Sequence, residues 1–370
     1  MYTTRPFRDA SAARPGYSDS ETAVVFRGDG EPKTPQGLIR QLSEFDAEVG
    51  IEADNFSLGG TVEALEQRFA EMLGTEAAIF MPTGTLANNL AIRRHCGVKP
   101  RAIVQEQSHL YNDTGDSVTR LSGINLVPLA KDRPYFTLDE VMEAAVSSVT
   151  GRVLNEIGVV MIESPVRRQD GQVAPFELMK SITDFCKERG IPTHLDAARL
   201  YMMSAATGVS PKQYAALFDT TYVSLYKYFV APFGAILAGS ADFIDGLYHD
   251  RRMFGGGLSS AYLPAALALK GTEGFEERFA AAMKQAAELF DRLNTLQGIN
   301  VRTFEHGSNI FPIELGPDVN VERFVLALRE RNVFVHPHEA DPDRYLLHVN
   351  TTILRQSTDI LFGAFKDALS

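Results

Sequence analysis

Lys227 stands in the run Leu225-Tyr226-Lys227-Tyr228-Phe229, which stays apolar and aromatic as far as Phe233. An ammonium in such a window is stripped of water, which disfavours its charged form and lowers its pKa. A lysine made neutral this way is a nucleophilic amine suited to forming a Schiff base with an aldehyde. A lysine snorkelling from a strand end is the plainer alternative. Asp196 closes the segment Ile191-Pro192-Thr193-His194-Leu195-Asp196; a carboxylate buried there needs a cation or a donor, and a protonated pyridine nitrogen would serve. Met81-Pro82-Thr83-Gly84-Thr85 leads from an apolar run into the helical stretch LANNLAIRRH. A glycine flanked by hydroxyl residues at a helix start offers free N–H groups and the positive end of the helix dipole, which suits a phosphate. An ordinary turn capped by Thr85 uses the same residues. Ser224, three residues before Lys227, can turn its hydroxyl toward the same phosphate. Gly255-Gly256-Gly257 permits close backbone approach but carries little alone.

These groups fall at the carboxyl ends of predicted strands, where open α/β sheets place their ligands. The strand-like runs are AAIFM, RAIVQ, INLVPL, GVVMIE, IPTHLD, TTYVSL and GAILAG, separated by helical stretches such as FELMKSITDFCKERG. Apolar strands alternating with helices predict a mostly parallel sheet covered on both faces. Ahead of them, TVEALEQRFAEMLG spaces Val62, Leu65, Phe69 and Met72 as one helical face and ends at Gly74, a residue suited to a C-terminal cap. After about Gly271 the pattern changes to the charged helix GFEERFAAAMKQAAELFDRLNTL, then strands around NIFPIEL, VFVHP and YLLHVN mixed with two more helices. Three units are therefore expected: an N-terminal arm over 1–25, a large α/β domain over 26–270 and a small α+β domain over 271–370.

The chain has 370 residues, 45% hydrophobic, and a formal net charge of -11. That charge argues against nucleic-acid or anionic-membrane partners, which need clustered positive charge, and for a small-molecule substrate. Cys96 and Cys186 sit in no CxxC or Cys/His pattern, so no metal site or disulfide framework is expected. No segment reads as a secretory signal or a membrane helix, and a cytoplasmic protein is expected.

Taken together and in order, EAAIFMPTGTLANNLA, HLDAARLY, LYKYFVAPFGAILAGSADFI and RRMFGGG resemble the threonine aldolase / β-eliminating lyase family of fold-type I enzymes that use pyridoxal 5'-phosphate. The likeness runs from FRGDG at Phe26 to YLLHVN near Asn350. It implies a large domain with a mostly parallel seven-stranded sheet plus a smaller α+β domain. It also implies that Lys227 is the Schiff-base lysine, that Asp196 pairs with the pyridine nitrogen and that Arg199 bonds the phenolic oxygen. Gly84, Thr85 and Ser224 would hold the phosphate, His109 would stack on the ring, Glu163 would lie near it, and Arg344 would clamp the substrate carboxylate. Sites of this family lie between subunits, so the resemblance implies a homodimer or homotetramer.

Three departures stand out. The family's Glu-x-x-His is here Glu163-Ser164-Pro165-Val166, its GGGMRQ is Gly255-Gly256-Gly257-Leu258-Ser259-Ser260, and its LSKG is Leu225-Tyr226-Lys227-Tyr228. The expected activity is cleavage of a threonine- or allo-threonine-like β-hydroxy amino acid to glycine and an aldehyde. The base for the β-hydroxyl proton is left open between His109, a phosphate-bound water and a tyrosine near Lys227. Competing expectations are β-elimination or amino transfer on the same scaffold, or a non-catalytic cofactor-binding homologue.

Overall fold

The apolar runs carry no alternation, so each strand must be covered on both faces, and the chain folds to satisfy that need. The structure is a computed structural model that describes residues 20–337, 341 and 344–369. A short strand β1 (Val24–Val25) precedes the strands of the main sheet. These are β2 (Ala77–Met81), β3 (Arg101–Gln105), β4 (Asn125–Leu129), β5 (Ile157–Glu163), β6 (Thr193–Asp196), β7 (Thr220–Ser224) and β8 (Ala235–Gly239). They form one seven-stranded sheet in the order β2-β8-β7-β6-β5-β3-β4. Only β8 runs against the others, pairing antiparallel with both β2 and β7. The carboxyl ends of β2, β3, β5, β6 and β7 therefore open on one edge.

Register decides which side chains share that edge. Glu163 of β5 lies opposite Asp196 of β6, and Asp196 lies opposite Tyr222 of β7. The helix Gly60–Leu73 buries Val62, Leu65 and Phe69 and ends at Gly74, whose φ of 66° is the left-handed conformation that a glycine adopts at least cost. The helix Gly84–Cys96 begins directly after β2 and lays Ala87, Leu90 and Ala91 against the sheet.

The C-terminal unit is a four-stranded antiparallel sheet of β9 (Ile299–Val301), β10 (Ile310–Leu315), β12 (His336–Pro337) and β13 (Tyr345–His348), in the order β12-β13-β10-β9. The expected strand VFVHP is thus two pieces, since Val333–Phe334 forms β11 and pairs in parallel with β1 instead. The helices Phe275–Leu293, Val321–Glu330 and Thr358–Ala368 cover this sheet around Leu289, Phe324 and Phe365. Val24 and Phe26 belong to the same core, so residues 20–25 of the expected arm pack on C-terminal elements. Residues 1–19 of that arm lie outside the described residues. Among the described residues no helix is long and apolar enough to cross a membrane.

Candidate active site

A cavity of about 310 Å3 opens at the carboxyl edge of the main sheet. Its wall brings together Gly84, Thr85, His109, Glu163, Asp196, Arg199 and Lys227, residues drawn from five separate strand ends. Lys227 follows β7 by three residues and is half-buried. Loss of hydration, reinforced by the Arg199 charge, lowers its pKa to about 8 against the pull of Asp196, Asp29 and Glu163. A free amine is thus present in useful amount near neutral pH. If that amine captures an aldehyde cofactor, the rate at which cofactor-free protein takes up pyridoxal phosphate should rise with pH and level off above about 8. At pH 7 it should run at about a tenth of the plateau, against a far smaller fraction for an ordinary lysine. Stopped-flow absorbance checks this, and a rate still climbing at pH 10 would contradict it.

Asp196 is buried, and its carboxylate is held at both oxygens. Asn88 Nδ2 donates to Oδ2 at 2.6 Å and the Ala198 N–H to Oδ1 at 3.2 Å. Glu163, its neighbour across the sheet, accepts from the backbone N–H of His109 at 2.5 Å and of Arg167 at 3.0 Å. Burial and the Asp196 charge push Glu163 up to about 7 despite those donors. Gln105 clamps the Glu163 backbone from β3, donating to its carbonyl at 2.7 Å and accepting from its N–H at 2.8 Å. Glu163 therefore ties the turn bearing His109 to the sheet. Burial lowers the His109 pKa against the pull of Asp196, so its ring is neutral at neutral pH.

The turn after β2 is built as expected except for its cap. Thr83, not Thr85, caps the helix by accepting from the Leu86 N–H at 3.1 Å. The N–H groups of Gly84 and Thr85 lie in the first turn, where no intrahelical acceptor exists. A Cβ on Gly84 would lie 1.9 Å from the Tyr222 hydroxyl, so only glycine fits. Gly84→Ala should therefore cost roughly tenfold or more in affinity for a phosphate-bearing cofactor, read by equilibrium titration. Unchanged affinity would show that this turn does not hold the phosphate. Of the triple glycine, Gly256 packs beneath the same turn, and a Cβ there would meet Leu86 at 2.6 Å.

Four residues named from sequence stand in surroundings that the sequence did not indicate. Ser224 is fully buried and does not line the cavity; its hydroxyl lies near Tyr222 yet makes no hydrogen bond of normal geometry. Arg344 is outside the cavity wall, paired with Asp170 at 2.5 Å. Arg199 already spends its Nε on Asp29 at 2.8 Å, leaving the rest of its guanidinium for other acceptors. Tyr228 turns away into an aromatic cluster with Tyr201, Phe229 and Phe275, so of the two tyrosines flanking Lys227 only Tyr226 borders the cavity. Lys227 and its neighbours lie in a turn beyond the end of β7, so the two tyrosines do not share a face as they would in a strand.

Several site residues were not singled out from sequence. Asp29 is buried, and Gly30 beside it would place a Cβ 2.6 Å from the Lys227 carbonyl, so the chain at Gly30 packs directly on the lysine backbone. The Gly-Asp-Gly turn was a readable signal. Lys33 reaches the carbonyls of Tyr226 and Ala231, the latter at 2.7 Å, and braces the lysine loop. Arg167 and Phe233 also line the cavity, Arg167 paired with Asp113 at 2.5 Å. Neither had a local sequence cue.

Residues 35–314 match the family model described as Beta-eliminating lyase. The chain belongs to that family, and is a lyase on the fold-type I architecture. It is 26% identical over 314 residues to low-specificity L-threonine aldolase 1 of Arabidopsis thaliana, spanning 83% of this chain and 87% of that protein. It is 32% identical over 207 residues to the low specificity L-threonine aldolase of Saccharomyces cerevisiae, spanning 55% of this chain and 53% of that one. Among solved structures, a candidate L-allo-threonine aldolase from Listeria monocytogenes superposes with a TM-score of 0.78 at 26% identity, covering 94% of this chain and 96% of its own.

The family implies pyridoxal phosphate, and the cavity's donors fit it. An amine lowered toward neutrality, an anchored carboxylate, an arginine and an N–H turn with no room for a Cβ face one space.

Proposed function

We propose that this chain is a pyridoxal-phosphate-dependent aldolase that cleaves a threonine- or allo-threonine-like β-hydroxy amino acid to glycine and an aldehyde. The observation that carries this reading is the single cavity shared by Lys227 and Asp196. Lys227 would bond the cofactor aldehyde, Asp196 would hold the ring nitrogen, Arg199 would face the phenolic oxygen, His109 would lie beside the ring, and Gly84 and Thr85 would hold the phosphate. Bound pyridoxal phosphate supplies an electron-accepting ring for the charge left when the Cα–Cβ bond breaks.

The chain's own residues do the rest. Asp196, unable to rotate between Asn88 and Ala198, presents a fixed anion where positive charge must persist. Val166, fully buried, stands where the family carries a histidine, so the β-hydroxyl proton needs another acceptor. His109 is a neutral imidazole in the cavity wall and accepts it. Arg344 orients the substrate carboxylate, exchanging Asp170 for it. Arg344→Lys should then raise KM by about tenfold while kcat changes little, because lysine loses the two-pronged geometry. An unchanged KM would remove Arg344 from the site.

The chain acts as a cytoplasmic homodimer or tetramer, with the large unit over 26–270 carrying the cofactor and the small unit over 271–370 carrying Arg344. Exposed Tyr226 and Phe233 at the cavity mouth, at 42% and 38% relative exposure, support a covering subunit. The deciding assay supplies L-threonine, L-allo-threonine and phenylserine to the cofactor-loaded protein and measures aldehyde. Aldehyde from none of them would end the aldolase reading; a keto acid with ammonia would mark β-elimination instead.

A further inference from the structure

Behind Asp196 lies a row of polar side chains of which the proposed chemistry uses Asn88 alone. Strand alternation puts His194 on the same face of β6 as Asp196, and register sets Thr220 of β7 beside His194. On the helix Gly84–Cys96, Asn88 and His95 are seven residues apart and so share the face turned to these strands. The two faces interlock. Asn88 Nδ2 meets Asp196 Oδ2 at 2.6 Å, and Asn88 Oδ1 meets His194 Nε2 at 3.0 Å. His194 Nδ1 meets Thr220 Oγ1 at 2.8 Å, and that oxygen meets His95 Nε2 at 2.8 Å. Asn88, His194 and Thr220 are all at most 1% exposed.

The chemistry of these groups gives every hydrogen one direction. An ionised carboxylate only accepts, so the Asn88 amide must turn its NH2 to Asp196 and its oxygen to His194. That oxygen only accepts, so His194 carries its hydrogen on Nε2. Burial lowers the His194 pKa to about 3, leaving Nδ1 bare to accept from the Thr220 hydroxyl. The Thr220 oxygen then accepts from His95 Nε2–H. An amide does not relay protons as hydroxyls do, so the row orients and does not conduct.

We propose that Asn88, His194, Thr220 and His95 are positioning residues, a one-directional hydrogen-bond chain that locks Asp196 in orientation and keeps it the anion beside the cofactor ring nitrogen. The inference rests on the cofactor placement proposed above. Removing the Asn88 donor makes Asp196 a stronger base, and the shared proton moves from the ring nitrogen to the carboxylate.

Two measurements test it. In the cofactor-free wild-type protein, 15N NMR should show His194 as the neutral Nε2–H tautomer throughout pH 5 to 9; an Nδ1–H tautomer would overturn the chain whatever the cofactor does. Loaded with ring-15N pyridoxal phosphate, Asn88→Leu and His194→Leu should shift the ring signal toward that of neutral pyridine. They should also bind the cofactor on the order of tenfold more weakly, the size of one lost hydrogen bond to a charged group. His194→Gln, whose amide can still donate to Asn88, should keep the wild-type signal. A His194→Leu signal identical to wild type, or His194→Gln behaving as His194→Leu, overturns the proposal. Wild-type protein that takes up no cofactor would defeat the functional reading alone, because the tautomer reports on the chain independently. Should the leucine variants fail to fold, the wild-type tautomer and His194→Gln still decide.

Discussion

Lys227→Ala should fold, yet show no visible absorption after incubation with pyridoxal phosphate and removal of the excess, and its kcat should fall by roughly 10^4-fold or more, the scale on which covalent residues act. Folding should survive because the ammonium is an unfavourable burial rather than a support. Its pKa is depressed mainly by lost hydration, which outweighs the pull of Asp196, Asp29 and Glu163, and its ammonium stands 6.0 Å from the Tyr226 ring. Removing it takes away a desolvated charge and leaves small, solvent-accessible space in an already open cavity. A retained visible band on the alanine variant would move the covalent attachment to another amine, with Lys33 next to be examined, since burial lowers that residue to about 8 as well.

Asp196→Asn should keep the cofactor colour but lose about 10²–10³-fold in kcat, as removal of one preorganised electrostatic group does. The exchange preserves shape and replaces the buried carboxylate proposed to face the ring nitrogen with a neutral amide. KM should move less than kcat, because the lost interaction matters most where charge develops. Glu163 is the internal control. Its carboxylate is used by two backbone N–H groups, so Glu163→Gln should disturb the His109 turn without imitating the Asp196 loss. If Asp196→Asn retained more than about a tenth of wild-type kcat, the ring nitrogen would not depend on that carboxylate.

The seven strands of the large sheet were legible because each is a short apolar run bounded by turn residues, and their observed limits fall within two residues of the sequence reading. Strand ends were legible for the same reason, and Gly84, Asp196 and Lys227 were found through them. Less legible was anything whose partner lies far along the chain. Arg344 matched a motif, but its pairing with Asp170 depends on how the loop after Val166 meets the C-terminal sheet. Tyr226 and Tyr228 look alike in sequence and end in different places, one at the cavity mouth and the other in an aromatic cluster.

The sequence by itself determined which residues are chemically capable and on which kind of element each sits, because hydrophobic periodicity and local turn chemistry act over a few residues. Only the tertiary structure decided which of them meet. Asp29 reaches Arg199 across 170 positions and Asn88 reaches Asp196 across 108. Such contacts are set by strand order and register, which follow from how whole apolar faces are covered and leave no mark at either residue.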